Sequence, residues 1–233
     1  IINKSLLNIT NNIIDLKNGL YKEDLDKAKI LSIKFDNIIN SDLSLIDKIY
    51  WLIKDVKRYG TLPFAGVARA GFIAIQMLNS FVEEKIISQK QYNKYLNTLN
   101  TISKKLTRDN NLLSKKKFLK IYGHLRPGTY DILSPRYDEF YDIYFNKSKK
   151  KIDVPYSSFT FTNIHKNKIN KLIHRNKLNT NFKDLIRFIK EAIEGREYVK
   201  FLFTKHLSQI LKYIEKIGKK IKIDQNDLAF LNI

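Results

Sequence analysis

The chain has 233 residues, of which 43% are hydrophobic and 28% charged, with a formal net charge of +20, no cysteine and one tryptophan. That apolar share is enough for a sizeable core in one large domain, and the lack of cysteine excludes a disulfide framework, thiolate zinc sites and thiol catalysis. No uninterrupted apolar run approaches the roughly 18 residues of a membrane-spanning helix, and the first residues lack a signal-peptide pattern, so no transmembrane helix and no membrane partner are expected, and the lack of cysteine fits a cytoplasmic location.

The charge is carried by 35 lysines and only 8 arginines, spread along the chain, with Ile and Asn also abundant. Nucleic-acid binders more often use arginine forks and a basic stripe with stacking aromatics. A solvated lysine-rich surface is therefore expected rather than a nucleic-acid interface. The chain begins at Ile1 and its one methionine is Met77, which reads as a piece of a longer protein.

In chain order, Leu6, Leu7, Ile9, Ile13, Ile14 and Leu16 trace the apolar face of a first helix. A second is expected from about Glu23, with Leu25, Ala28, Leu31, Phe35 and Ile38 inward. Asp42 is the expected N-cap of a third, which carries Leu45, Ile49, Leu52 and Val56 and ends near Gly60. Leu62 to Leu78 is apolar nearly all round and rich in Ala and Gly, so it is expected to be the central helix, with Arg69 as a buried cation in need of a partner or ligand. Ser88 and Gln91 have capping-box spacing and open a helix expected to run to about Leu106. A short helix follows from Leu113 to Tyr122.

Residues 146–160 read as an exposed loop, and Val154 to Thr162 is the one weak strand candidate. Asn163 to Leu178 is expected to be helical; the nine-residue gap between His165 and His174 is not a metal-ligand spacing. Asn181 or Thr180 caps a long final helix from Phe182 to about Ile217, broken or bent at Gly195 and ended by Gly218. Arg196 and Lys200 stand one turn apart on it. The fold class is all-α, a single helical domain over residues 1–233.

The segment Tyr122 to Glu139 breaks this pattern. It holds two of the four prolines and two of the eight glycines, so its path is defined by fixed and permissive φ values. His124, Arg126, Asp131, Arg136, Asp138 and Glu139 lie along it. An imidazole and two guanidinium forks on a shaped loop suit an anionic, phosphorylated ligand. The competing reading is a crossover whose polar groups satisfy one another. No phosphate-cradling turn, nucleophile elbow or metalloprotease helix occurs, and no metal site is expected. The chain reads as a part that holds a substrate while chemistry is supplied elsewhere.

Gly123-His-Leu-Arg-Pro-Gly-Thr-Tyr-Asp131 with Ser134-Pro-Arg-Tyr-Asp-Glu139 resembles the glycine-histidine-x-x-proline motif of phosphoenolpyruvate-synthase-like phosphotransferases, a group that includes rifampicin phosphotransferase. Arg196-Glu-Tyr-Val-Lys-Phe201 is similar to their arginine-glutamate-x-x-lysine helix. Ile223 to Leu231 resembles the acidic stretch before their swivelling domain, and Phe64 to Phe72 an upstream alanine-arginine helix. The resemblance covers roughly residues 55–233. It implies a helical acceptor-binding domain of an enzyme that passes the ATP β-phosphoryl through a phosphohistidine to a small acceptor. ATP and Mg would bind outside this chain, on ATP-grasp and phosphohistidine domains that it lacks.

The composition also suits an A/T-rich bacterium, where one such relative phosphorylates the side-chain amide nitrogen of L-glutamine in capsular polysaccharide modification. In that scheme His124 and Arg126 would be catalytic, with His124 taking or steering an acceptor proton near neutral pH. Arg69, Asp131, Arg136, Arg196 and Lys200 would bind substrate, Asp131 fixing the His tautomer or an ammonium of the acceptor. The alternatives are a non-catalytic helical interaction module for protein or nucleic acid, and a scaffold.

Overall fold

The computed structural model describes residues 2–145 and 158–230. Among them every regular element is helical: α1 (Ile2–Ile14), α2 (Leu20–Ile39), α3 (Leu45–Asp55), a π-helical turn (Val56–Thr61), α4 (Leu62–Glu83), α5 (Gln89–Thr98), α6 (Ile102–Leu112), α7 (Lys115–Tyr122), α8 (Tyr141–Phe145), α9 (Asn163–Arg175), α10 (Phe182–Ile221) and α11 (Gln225–Leu228). The all-α reading holds. Of the exposed loop expected at 146–160 and the strand candidate at 154–162, residues 146–157 lie outside the described residues; Ser158 to Phe161 form no strand.

Several boundaries follow local chemistry. The Ser88 hydroxyl accepts from Gln91 N while Gln91 Oε1 accepts from Ser88 N, closing the capping box. Asn181 Oδ1 accepts from Asp184 N at 3.0 Å and opens α10. The third helix is capped by Ser44, not Asp42: the Ser44 hydroxyl accepts from Asp47 N.

Other boundaries differ from the sequence reading. The helix from Ser88 does not reach Leu106. Leu99 turns to extended backbone, and Asn100 N donates to Glu194 Oε1 at 2.7 Å. Gly60 ends nothing, because α3, the π turn and α4 form one continuous helical run. Pro63 has no N–H to give, and just before it the ladder widens, Leu62 N donating five residues back to Lys57 O. Nor does Gly195 break α10, or Gly218 end it. The terminating residue is Lys222, in the left-handed region at φ 60, and Ile223 N returns to Gly218 O.

The described residues fall into two compact units, each drawn from three stretches of chain. Unit 1 takes those within Ile1–Lys27, Pro63–Ile102 and Asp153–Val199; unit 2 takes those within Ala28–Leu62, Ser103–Ile152 and Lys200–Ile233.

Unit 1 packs α4 along one stripe only: Pro63, Val67, Ala70, Ala74, Leu78 and Phe81 are buried, whereas Phe72 is 61% exposed. The segment, apolar nearly all round in sequence, is thus buried on one side only. Opposite α10, Tyr21 meets Phe188 edge-on at 5.8 Å and its hydroxyl donates to Glu191 O at 2.6 Å. That hydroxyl occupies the space beside Gly195, where an added Cβ would lie 2.6 Å from it.

Unit 2 is centred on Phe35, Leu52, Ile210 and Tyr213, with Ile38, Ile49, Ile53 and Leu207 packed around them. Gly60 is also buried in unit 2. A Cβ there would sit 2.9 Å from Phe203 Cβ and 3.4 Å from Leu31 Cδ1. Because Phe203 Cβ is tied to the α10 backbone, Gly60→Ala is expected to cost about 1–3 kcal/mol, read as a lower urea midpoint at unchanged slope. A stability gain would mean that the two backbones separate freely.

Candidate functional site

The segment after α7 is a compact loop whose ends are pinned together: Tyr137 N donates to Leu125 O at 2.8 Å and Asp138 N to Gly123 O at 3.1 Å. Inside it Asp131 N donates to Gly128 O and Ser134 N to Asp131 O, while the Ser134 hydroxyl accepts from Gly128 N at 3.0 Å. The glycines do not supply positive φ as expected; no described glycine has it. They supply room. A Cβ on Gly128 would lie 2.9 Å from Asp131 Cβ, and one on Gly123 3.0 Å from Asp138 Cβ. Ile132, buried, and Gln225 Nε2, which donates to Ile132 O at 2.7 Å, fasten the tip of the loop.

This folding turns His124, Arg126 and Arg136 inward; each is only 8% exposed. Arg126 donates from Nη1 to Asp131 O at 3.1 Å and from Nη2 to the Ser208 hydroxyl at 3.4 Å, leaving Nε without a partner. Among the described residues it forms no ion pair. Burial pulls its pKa down from the ordinary guanidinium value, and the Glu139 carboxylate opposes that pull. Arg136 forks onto Asp138, Nε to Oδ1 at 2.9 Å and Nη2 to Oδ2 at 2.6 Å, and its Nη1 has no partner. Its own N–H donates to Glu139 Oε2 at 3.0 Å. Lys212 stands 3.3 Å from Glu139.

His124 lies edge-on to Phe201 at 4.9 Å, and its Nε2 is buried without a partner. Burial, reinforced by the Arg136 charge, pushes its pKa down to about 3, against the weaker pull of the Phe201 and Ile121 carbonyls. The ring is therefore neutral at pH 7 and a poor base, which corrects the expectation of an imidazole titrating near neutrality. Asp131 also departs from one of its two expected roles. Its carboxylate is exposed and accepts from Leu133 N at 2.8 Å, so the residue closes a turn and holds Arg126 through its carbonyl rather than fixing the imidazole.

The remaining candidates do not join this cluster. Arg69 is exposed, not buried, and lies in unit 1, where its charge acts on Asp24. Arg196 is an exposed residue of unit 1 whose guanidinium covers the Phe72 ring at 5.3 Å. Lys200 belongs to unit 2 and is exposed. Sequence reasoning missed the α10 side of the site, where the buried Ser208 hydroxyl meets Arg126; Thr204 and His206 are the other buried polar residues of that helix. The available signal was the Thr204–Ser208 pair, two small hydroxyls one turn apart, which leave room for a long side chain.

His206 is 1% exposed and edge-on to Phe35 at 5.0 Å; burial pushes its pKa down to about 4, against the weaker pull of the Leu202 carbonyl. Unit 1 holds a separate apolar groove of about 530 Å³ lined by Phe72, Ile73, Met77, Phe81, Ile169 and Leu172 and crossed by the Arg175–Glu84 ion pair. None of the seven candidates lines it. Among the described residues no three His, Asp or Glu gather as a metal site. No protein-family model matches the chain, and no curated protein or solved structure is significantly similar to it.

Proposed function

We propose that the buried basic loop of unit 2 is the acceptor-side site of an ATP-dependent phosphotransferase. A phosphoryl group carried on a histidine outside this chain would be delivered there to a small acceptor, of which the side-chain amide of L-glutamine is the narrower candidate. The observation that carries the reading is the inward convergence of His124, Arg126 and Arg136, each with a buried polar atom that has no partner. Arg126, without a paired carboxylate, has charge available to neutralise a transferring phosphoryl group. The neutral His124 ring would orient an acceptor rather than take its proton.

The test is thermal unfolding of the chain with L-glutamine, other amino acids, pyruvate, rifampicin, AMP and inorganic phosphate. A site ligand at about 100 times its dissociation constant adds roughly 2.7 kcal/mol, and the gain should vanish in Arg126→Met. No shift with any compound, or an undiminished shift in the variant, overturns the assignment. The Arg136–Asp138 fork favours a second reading, in which the loop is a self-satisfied brace of a scaffold or interaction module; stabilisation by none of the ligands is its expected result.

A further inference from the structure

The exposed face of α3 and the π turn belongs to neither the core of unit 2 nor the loop site. Ile46 is 68% exposed, Tyr50 52%, Trp51 49% and Leu43, just before the helix, 40%. One to two turns on come Lys54, Lys57 and Arg58, all exposed. At 100° per residue these positions fall within a sector of roughly 140°. The opposite side, with Leu52, Asp55 and Val56, is buried.

Tyr50 and Trp51 meet edge-on at 5.3 Å, and the Lys54 ammonium lies 5.3 Å from the Tyr50 ring centre. Asp47 is the one carboxylate on the stripe, and it is bonded to the Ser44 hydroxyl at 2.6 Å. Among the described residues none of the three cations is in an ion pair.

The continuous helix Leu45–Glu83 is long and apolar enough, by length and composition alone, to cross a membrane, although charged residues interrupt it. The face described above lies on its first part, Leu45–Thr61, whose other side is buried within unit 2. Branched aliphatic and aromatic side chains beside a row of cations match a bilayer interface with anionic headgroups: rings settle at headgroup depth, Ile46 reaches the acyl boundary, and cations meet phosphate and carboxylate. A nucleic acid would use the cations and rings but give no reason for the exposed Leu43 and Ile46.

We infer that this face docks unit 2 onto an anionic lipid surface. Trp51 is the only tryptophan in the chain, so its emission reports on this face alone. On mixed phosphatidylcholine/phosphatidylserine vesicles the emission should move to shorter wavelength and be quenched by bromine-labelled acyl chains, with little change on phosphatidylcholine alone. The triple change Lys54→Gln, Lys57→Gln, Arg58→Gln should weaken vesicle binding about 10²-fold. Ile46→Ser should reduce quenching at unchanged helical circular dichroism. Absence of binding, binding without a change in Trp51 emission, or an equal emission shift with single-stranded oligonucleotide and none with vesicles each overturns the inference.

Discussion

Asp138→Ala is expected to destabilise unit 2 by about 3 kcal/mol, far more than the loss of a surface charge. Its partner Arg136 has a side chain only 9% exposed, whereas that of Asp138 is 32% exposed. Removing the carboxylate strands a guanidinium in the interior, and a broken buried pair costs about 3–5 kcal/mol, the lower end applying where one partner is half wet. The double variant Arg136→Met, Asp138→Leu should recover much of the loss, since it removes the stranded charge as well. Urea unfolding of the three proteins measures both statements. A cost below about 0.5 kcal/mol for Asp138→Ala, the range of a solvated pair, would contradict the buried fork. The same variant bears on function: if added phosphate restores its stability, the Arg136 position accepts an anion, as the acceptor-site proposal requires.

How much of this could be read beforehand depended on the distance over which each feature is determined. Capping is local, so Ser88–Gln91 and Asn181 were legible from residue type and spacing. Asp42 failed as a cap because Ser44, two residues on, reaches Asp47 N instead. Helix continuity was not legible at the glycines. A glycine inside a helix costs about 1 kcal/mol against alanine, which argues for a break. At Gly60 and Gly195 that cost is offset by close approach of Phe203 and of the Tyr21 hydroxyl, contacts made by residues over 140 positions away.

The site shows the same division. The loop's composition announced a shaped segment, and His124, Arg126 and Arg136 do turn inward together. Which side of a helix faces inward was harder to read. Arg69 shares α4 with buried Ala70 but points outward, and Arg196 covers Phe72 on the surface. Periodicity in a helix with small or apolar residues on every side gives no means of choosing. The division into two units was equally hidden, because α2 and α10 each contribute residues to both.

Acidification should destabilise unit 2 before its carboxylates titrate. His124 and His206 are both held neutral by burial, with pKa values pushed down to about 3 and about 4, whereas in the unfolded chain they return to about 6.5. The unfolded state therefore binds more protons than the folded one throughout that interval. Stability is fully present above about pH 6.5 and falls as the pH drops toward the folded values. Going from pH 7 to pH 5 removes about 2 kcal/mol per imidazole, about 4 kcal/mol together, a large fraction of the 5–15 kcal/mol of a typical domain.

The charges around the rings act in the expected directions: Arg136 and Lys205 add to the shift at His124, and at His206 Lys205 adds to it while Asp36 opposes it. Glu139, whose folded pKa is lowered chiefly through the Arg136 N–H and Lys212 against an opposing burial effect, extends the loss of stability to still lower pH. Urea midpoints followed across this range should fall steeply below neutrality. His206→Leu should remove about half of the slope, because the ring is buried edge-on against Phe35 and the Leu202 carbonyl is the one backbone acceptor acting on it. A flat profile in the parent protein, or an unchanged slope in the variant, would show that the two imidazoles titrate alike in the folded and unfolded chain.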